Sequence, residues 1–433
     1  MRGTHSSRVE FVAAGAARRQ RSASAFRVWG GEPSRGGVGP AGWMPPESPS
    51  KRHQGEGKLE LQSAINGWTR RTVLDGPQNS HLTETWEHRG KSHRVDVTVG
   101  KALDVLSLKG TSLAEIREYA GFLGESARRM YAAGSPRNVV KACPCCGRSS
   151  EAAAEAMQVF SVAYVRCADC GHVFVREQPA QSVLDELFSE SARHSDEYTS
   201  IDPAAQEFRV RHIALPKLEW GRAQFQRVFG RSPASLLDIG AGGGHFVAAA
   251  ARAGMLAHGY ERSTASRAFA RAAFGLELRA TDFLADEVQS ADMITFWGLL
   301  EYVPEPRTLL AAARRRLSGE GGMLVIEVPR FNCVGSAVQQ VDGAVVARHM
   351  DPTTHVNCFT DASLCTALDA EGFRPVAAWY FGMDVYELFV QIALRLDDEG
   401  VLEKLVPMLN ASQAALDHGR QCDDLIIAAV PVA

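Results

Sequence analysis

Nowhere does this 433-residue chain run apolar for the ~18–20 residues that a membrane-spanning helix needs. Its first residues also lack the continuous apolar core of a secretory signal. Nothing therefore directs it to a membrane, and a cytoplasmic location is expected. No sign of charge dominates either: the net charge is −3, which argues for no particular partner. The charge is unevenly spread. Residues 1–100 hold 15 Lys and Arg against 9 Asp and Glu, and the rest of the chain 32 against 41.

The basic part is also the part with least periodicity. Residues 30–57, GGEPSRGGVGPAGWMPPESPSKRHQGEG, repeat at neither the helical nor the strand period. Such a composition cannot bury enough apolar surface to offset chain entropy. Residues 1–94 are thus read as a disordered tail. The Ala-, Arg- and Ser-containing start faintly resembles a transit peptide, the tail or an overlong gene start being the preferred reading. Residues 95–139 regain helical spacing, 140–180 carry clustered cysteines, and 181–233 form a helical connector with a break near Pro216.

From Ser235 short apolar runs alternate with helical ones. Strands are predicted at 235–240, 255–261, 276–280, 292–297, 322–328, 373–381 and 424–432. Helices are predicted at 245–253, 266–274, 306–317, about 361–371, 384–396 and 399–418, so that about 382–420 includes a helical insert. Strands alternating with helices imply a parallel sheet covered on both faces.

The sharpest motif is SLLDIGAGGGHF, residues 235–246. A strand ends in Asp238, the glycines Gly240, Gly242, Gly243 and Gly244 follow, and a helix begins. Glycines let the backbone turn tightly and approach a ligand. Alone, this is a nucleotide-type turn. The second strand, however, ends on Glu261, 21 residues past Gly240, where a carboxylate can accept both hydroxyls of a ribose. The third ends at Asp282, able to accept from an adenine amine. Asp238, ahead of the first glycine, suits a ligand with an ammonium group better than one with a pyrophosphate.

Residues 235–328 resemble the class I S-adenosylmethionine-dependent methyltransferases. The resemblance extends through ADMITFWGLLEYVPEPRTLL (291–310) and GGMLVIEVP (321–329). It implies a Rossmann-like parallel sheet with an antiparallel last strand in residues 234–433. It also implies that Asp282 and Phe283 flank the adenine, and that Trp297 and Gly298 line the junction of cofactor and acceptor. Where similar sugar C-methyltransferases carry Glu-His after the fourth strand, this chain has Glu301-Tyr302, so a base at that position is in doubt.

The cysteines form two matched knuckles, Cys143-x-x-Cys146 and Cys167-x-x-Cys170, followed by Gly147 and Gly171. Four thiolates in this arrangement suit a closed, structural Zn²⁺. Cys145 is the weaker alternative ligand, and a redox dithiol would need only one pair. The order resembles zinc-ribbon-first methyltransferases of sugar and natural-product pathways; by that resemblance Tyr198 closes over cofactor or substrate, or is simply packed.

For the acceptor, the stretch RHMDPTTHVNCFT (348–360) supplies His355 as a candidate base and Asn357 as a hydrogen-bonding partner. Tyr302 is a candidate for orienting a hydroxyl; His349, Asp384 and Tyr386 are weaker candidates. The expectation is methyl transfer to an oxygen or carbon of a small molecule, a sugar or other secondary metabolite. Two alternatives stay open: an RNA methyltransferase with a zinc recognition module, and a degenerate non-catalytic cofactor binder. The acidic balance of residues 101–433 argues against a nucleic-acid partner.

Overall fold

The structure is a computed structural model. It describes residues 60–65, 68–73, 81–101, 112–180, 182–183, 202–286, 290–341 and 350–432. Tyr198 and His349 lie outside these residues.

The chain first builds four antiparallel strands, β1 (Glu60–Ile65), β2 (Trp68–Val73), β3 (His81–His88) and β4 (Lys91–Val99). The β3–β4 turn is Arg89-Gly90, both at positive φ (48° and 76°). That geometry matches the right-handed twist of the flanking strands. This corrects the reading of residues 1–94 as a disordered tail: 60–65, 68–73 and 81–94 include paired strands. The reason is visible in β3. Its sequence HLTETWEH looks too polar to be buried, yet Glu84 is buried and receives Arg420 from 336 residues away at 2.7 Å. Trp86 Nε1 donates to the same carboxylate at 2.8 Å. A charge matched that far along the chain leaves no local trace.

After a capped helix, Leu113–Met130, come the strands of the cysteine module. β5 (Arg137–Val139) pairs with β9 (Glu177–Pro179). β6 (Ala154–Val159), β7 (Val162–Arg166) and β8 (Val173–Val175) form an antiparallel sheet. Residues 203–229 are continuously helical. The expected break near Pro216 is instead a π-turn over Val210–Ala214, followed by Leu215–Phe229. A widened turn just upstream accommodates the proline, which has no N–H to donate back along the helix.

The central sheet follows: β10 (Ser235–Ile239), β11 (Leu256–Tyr260), β12 (Met293–Trp297), β13 (Met323–Pro329), β14 (Asn357–Cys358), β15 (Phe373–Phe381) and β16 (Asp424–Pro431). Its order is β1-β2-β3-β4-β15-β16-β13-β12-β10-β11, with β14 assigned to the cysteine module's sheet. β11, β10, β12 and β13 are parallel, and β16 runs antiparallel between β13 and β15. The expected strand at 276–280 is reduced to a single bridge, Arg279 to Tyr260. The N-terminal strands extend this sheet: β4 lies parallel to β15, with Asp96 to Val99 against Ala377 to Tyr380.

Alternate side chains serve opposite faces. Leu236, Met293, Met323 and Val325 pack against Leu218, Phe225 and Phe246. Leu237, Ile294, Phe296 and Leu324 pack against Leu309, Leu310 and Ala313. Both faces are covered, which is why these strands read as near-continuous apolar runs. Among the described residues no helix is long and apolar enough to cross a membrane.

Candidate functional site

The glycine loop leaves the carboxyl end of β10. Gly240 and Ala241 donate to the carbonyl of Tyr260 at 2.9 and 2.8 Å, tying the loop to β11. Gly242 has φ +52° and open space where a Cβ would stand; Gly244 has φ +78° and a Cβ there would meet Ala270 at 3.1 Å. Gly244 then caps the helix His245–Arg252. The first glycine of the two keeps a face clear for a ligand, and the second lets the helix begin against its neighbour.

Glu261 stands directly after β11. Its carboxylate accepts from Gly242 N at 2.8 Å and from Ser263 N at 2.7 Å. The backbone thus fixes the carboxylate beside the clear face of the loop. Asp282 is exposed and accepts from Leu284 N at 2.9 Å. The Phe283 ring is turned inward: it packs edge-on against Tyr260 at 5.4 Å and under the Arg316 guanidinium at 4.5 Å.

Asp238 differs from expectation. It is 1% exposed and accepts from Thr295 Oγ1 at 2.7 Å across the β10–β12 register. Burial pushes its carboxyl up to about 7. Its carboxylate lies between the strand ends, beside Thr295. Thr295, which completes this contact, was not visible in the motif.

At the end of β12, Trp297 packs on Phe246 at 4.7 Å, and Lys217 Nζ lies 5.1 Å from its ring centroid. Trp297 Nε1 is buried without a hydrogen-bond partner among the described residues. Glu301, in the short turn Leu300–Tyr302, is 2% exposed and its Oε2 is likewise unpartnered. Burial, with Glu327 and Asp424 adding, pushes its carboxyl up to about 8. A carboxyl so placed is held protonated at neutral pH and can donate as well as accept. The next residue, Tyr302, meets the ring of His355 edge-on at 4.8 Å. Two candidates separated by 53 residues are thereby brought together.

Asn357 goes elsewhere. It is buried, its Nδ2 donates to Val303 O at 2.6 Å, and its Oδ1 accepts from His172 Nε2 of the cysteine module at 3.0 Å. It joins the cysteine module to the turn after β12. Asp384 likewise accepts from Gly335 N and Asp423 N, at 2.9 and 2.8 Å, and Tyr386 is buried in the helix Asp384–Leu396. Both are occupied in packing.

In the cysteine module, Cys143 N donates to Arg148 O and Gly147 N donates to Cys143 O; Cys167, His172 and Gly171 repeat the pattern. Gly147 and Gly171 have φ 75° and 72°. The sulfurs of Cys143, Cys146, Cys167 and Cys170 all lie within 4.8 Å of one another. The pairs Cys143–Cys170 and Cys146–Cys167 are 3.6 Å apart. A tetrahedron with metal–sulfur bonds near 2.3 Å has edges of about 3.8 Å, so the four thiols fit a metal ion. Cys145 is wholly buried in the core and outside the cluster.

The module is joined to the loop that carries His355. β14 pairs with β8, Val175 N donates to Val356 O at 2.9 Å, and Tyr164 OH donates to His355 O at 2.9 Å.

Residues 210–378 match the family model described as a methyltransferase domain. No curated protein matches the chain. Among solved structures, the chain is similar to a magnesium protoporphyrin IX methyltransferase from Synechocystis PCC 6803 with bound S-adenosylhomocysteine. That likeness has 13% identity, covers 58% of this chain and 99% of that one, and has a TM-score of 0.38. A SAM-dependent methyltransferase from Archaeoglobus fulgidus is similar at 21% identity over 52% and 97%, with a TM-score of 0.33. A 1,6-didemethyltoxoflavin-N1-methyltransferase from Burkholderia thailandensis is similar at 17% identity over 62% and 99%, with a TM-score of 0.35. The matched residues 210–378 include the glycine loop and the parallel strands β10 to β13, so the chain carries a region that matches a methyltransferase domain.

Proposed function

We propose that the protein transfers the methyl group of S-adenosylmethionine to an oxygen or carbon of a small molecule, a sugar or other secondary metabolite. The observation that carries this reading is the Glu261 carboxylate, fixed by Gly242 N at 2.8 Å beside the clear face of the glycine loop. The cradle suits a ribose. Glu261 would accept its hydroxyls, and Asp282 would accept from the adenine amine. Asp238 holds the strand ends through Thr295 and shapes the loop from beneath.

The cofactor supplies an electrophilic methyl on a sulfonium, and the protein supplies alignment. Trp297, Glu301, Tyr302 and His355 bound the acceptor side. The unpartnered Trp297 N–H and Glu301 carboxyl are free to orient an acceptor oxygen. Burial of Glu301 and His355 favours a small acceptor over a large one.

Cys143, Cys146, Cys167 and Cys170 would hold a structural Zn²⁺. With four protein ligands there is no open position, so the metal would cross-link the module and take no part in methyl transfer.

Calorimetry on zinc-loaded protein tests the reading: S-adenosylmethionine and S-adenosylhomocysteine should bind with one-to-one stoichiometry. Absence of binding would overturn it.

A further inference from the structure

The second cysteine knuckle is closed by His172. Its carbonyl accepts from Cys167 N at 2.8 Å, while its ring is wholly buried. The ring stacks on Phe174 at 5.8 Å and meets Phe359, tilted, at 4.8 Å. Its Nε2 meets Asn357 Oδ1 at 3.0 Å, and its Nδ1 lies 3.4 Å from Ser363 Oγ. Neither the metal nor the cofactor reading uses this ring.

Hydrogen-bond chemistry fixes the direction of the contact. The carbonyl of Val303 can only accept, so the Asn357 amide nitrogen faces it, at 2.6 Å. The amide oxygen then faces His172, and that oxygen requires a hydrogen on Nε2. Val303 directly follows the turn Leu300–Tyr302. This turn abuts the glycine loop, since a Cβ at Gly240 would meet Leu299 at 3.0 Å. Asn357 itself lies two residues beyond His355, whose ring meets Tyr302 edge-on at 4.8 Å. The cysteine module thus holds three consecutive residues: Tyr164 OH on His355 O, Val175 N on Val356 O, and His172 on Asn357. Of the three, the His172–Asn357 bond is the one passed on to the turn that carries Tyr302.

We propose that His172 is a positioning residue: through Asn357 it sets Tyr302 and His355 against each other beside the glycine loop. This deepens the methyltransferase reading above and rests on it for the task of the two rings, which is to bound the acceptor. The physical ground is over-determination. A buried amide bonded at both ends, to a ring that is itself packed by two others, leaves no second arrangement that satisfies the same donors and acceptors. Such rigidity matters because a displacement of about 1 Å near reacting groups can cost about a hundredfold in rate.

The test uses the zinc-loaded full chain with ring-labelled histidine, followed by nuclear magnetic resonance with and without S-adenosylhomocysteine. Loss of a signal in His355→Gln identifies His355, and Tyr302→Leu gives the shift that the Tyr302 ring imposes on it. In the unmodified protein, His172 should carry its hydrogen on Nε2; a ring without that hydrogen would overturn the proposal. His172→Phe keeps the ring's size but cannot donate. It should carry the His355 signal most of the way to its position in Tyr302→Leu. His245, which follows the glycine loop, should keep its signal, and S-adenosylhomocysteine affinity and zinc uptake should stay within several-fold. His172→Gln, whose amide nitrogen can reach the same oxygen, should restore the His355 signal. Asn357→Asp sets an oxygen against Val303 O and should move the His355 signal as His172→Phe does, whether or not His172→Phe folds. An unmoved His355 signal in either folded variant, or His355 and His245 moving together without rescue by His172→Gln, would also overturn the proposal. Failure of the unmodified protein to bind S-adenosylhomocysteine would instead overturn the methyltransferase reading, and the histidine signals would still decide the linkage.

Discussion

The proposed cofactor side and the proposed acceptor side of this site are built in opposite ways. The first runs from Asp238 to Phe283, in consecutive strand-and-turn units whose order in sequence is their order in space. The second gathers Lys217, Trp297 with Glu301, Glu327 and His355 from four separate segments. Local construction makes the cofactor half self-sufficient. Dispersed construction makes the acceptor half depend on distant parts of the fold, above all the cysteine module. Perturbations should therefore separate the two halves.

The largest separation should come from metal removal. The loop bearing His355 is held by Tyr164, Val175 and β8, and those strands hang on the four-cysteine cluster. Chelation, or Cys170→Ser, should abolish methyl transfer and release β14 from its partner. Binding of S-adenosylhomocysteine by β10 and β11 should survive within several-fold. Hydrogen exchange should show fast exchange at 164–175 and 355–358, with β10 still protected. Loss of cofactor binding in parallel with activity would break the comparison.

Glu261→Ala should do the reverse. It removes a carboxylate that makes charge-assisted hydrogen bonds, each worth about 1.5–3 kcal/mol. Affinity for S-adenosylmethionine should fall by about a hundredfold in calorimetry, while zinc uptake by the four cysteines is unchanged. An unchanged affinity would refute the role given to Glu261.

These two halves were not equally legible in the sequence. Gly240, Gly242, Gly244 and Glu261 could be read because a tight turn and an acid one strand later leave a fixed local spacing. The cysteine knuckles could be read for the same reason. Lys217 could not, since nothing local marks a lysine as paired with a carboxylate 110 residues away. A lone acid in an apolar strand, Glu327 within MLVIEV, was the one signal available. Asp238 was read as an acceptor for an ammonium group, and its carboxylate accepts from Thr295; strand pairing decides that contact, not the motif. β3 was missed outright because Arg420, which neutralises Glu84, lies at the far end of the chain.

Gly242→Ala sharpens the comparison from within the cofactor half. Nothing lies within 4 Å of the added Cβ, but the backbone φ is +52°. The strain should cost about 1 kcal/mol, roughly 2–4 °C in Tm for a domain of this size. The methyl group would stand on the face offered to the ligand, so cofactor affinity should drop more than stability does. A loss confined to stability would mean that the ligand lies elsewhere.

The smallest effect expected is on the pH dependence of stability, and it belongs to the acceptor half. Glu301 titrates at about 8 in the folded protein against 4.5 as a free side chain. The folded state therefore keeps a proton that the unfolded chain gives up. Its contribution to stability is fully present below pH 4.5 and is lost as pH rises through about 8. Glu301→Gln keeps the shape, removes the ionisation and should flatten this decline, so that the variant gains a few degrees in Tm relative to the unmodified protein at pH 8 and little at pH 5. Asp238, raised from 3.8 to about 7, adds a decline of the same sign, so some slope should persist in the variant. The persistence separates the two buried acids, one in each half of the site. A slope unaltered by Glu301→Gln would mean that Glu301 ionises without cost, and hence that water or a cation reaches its Oε2.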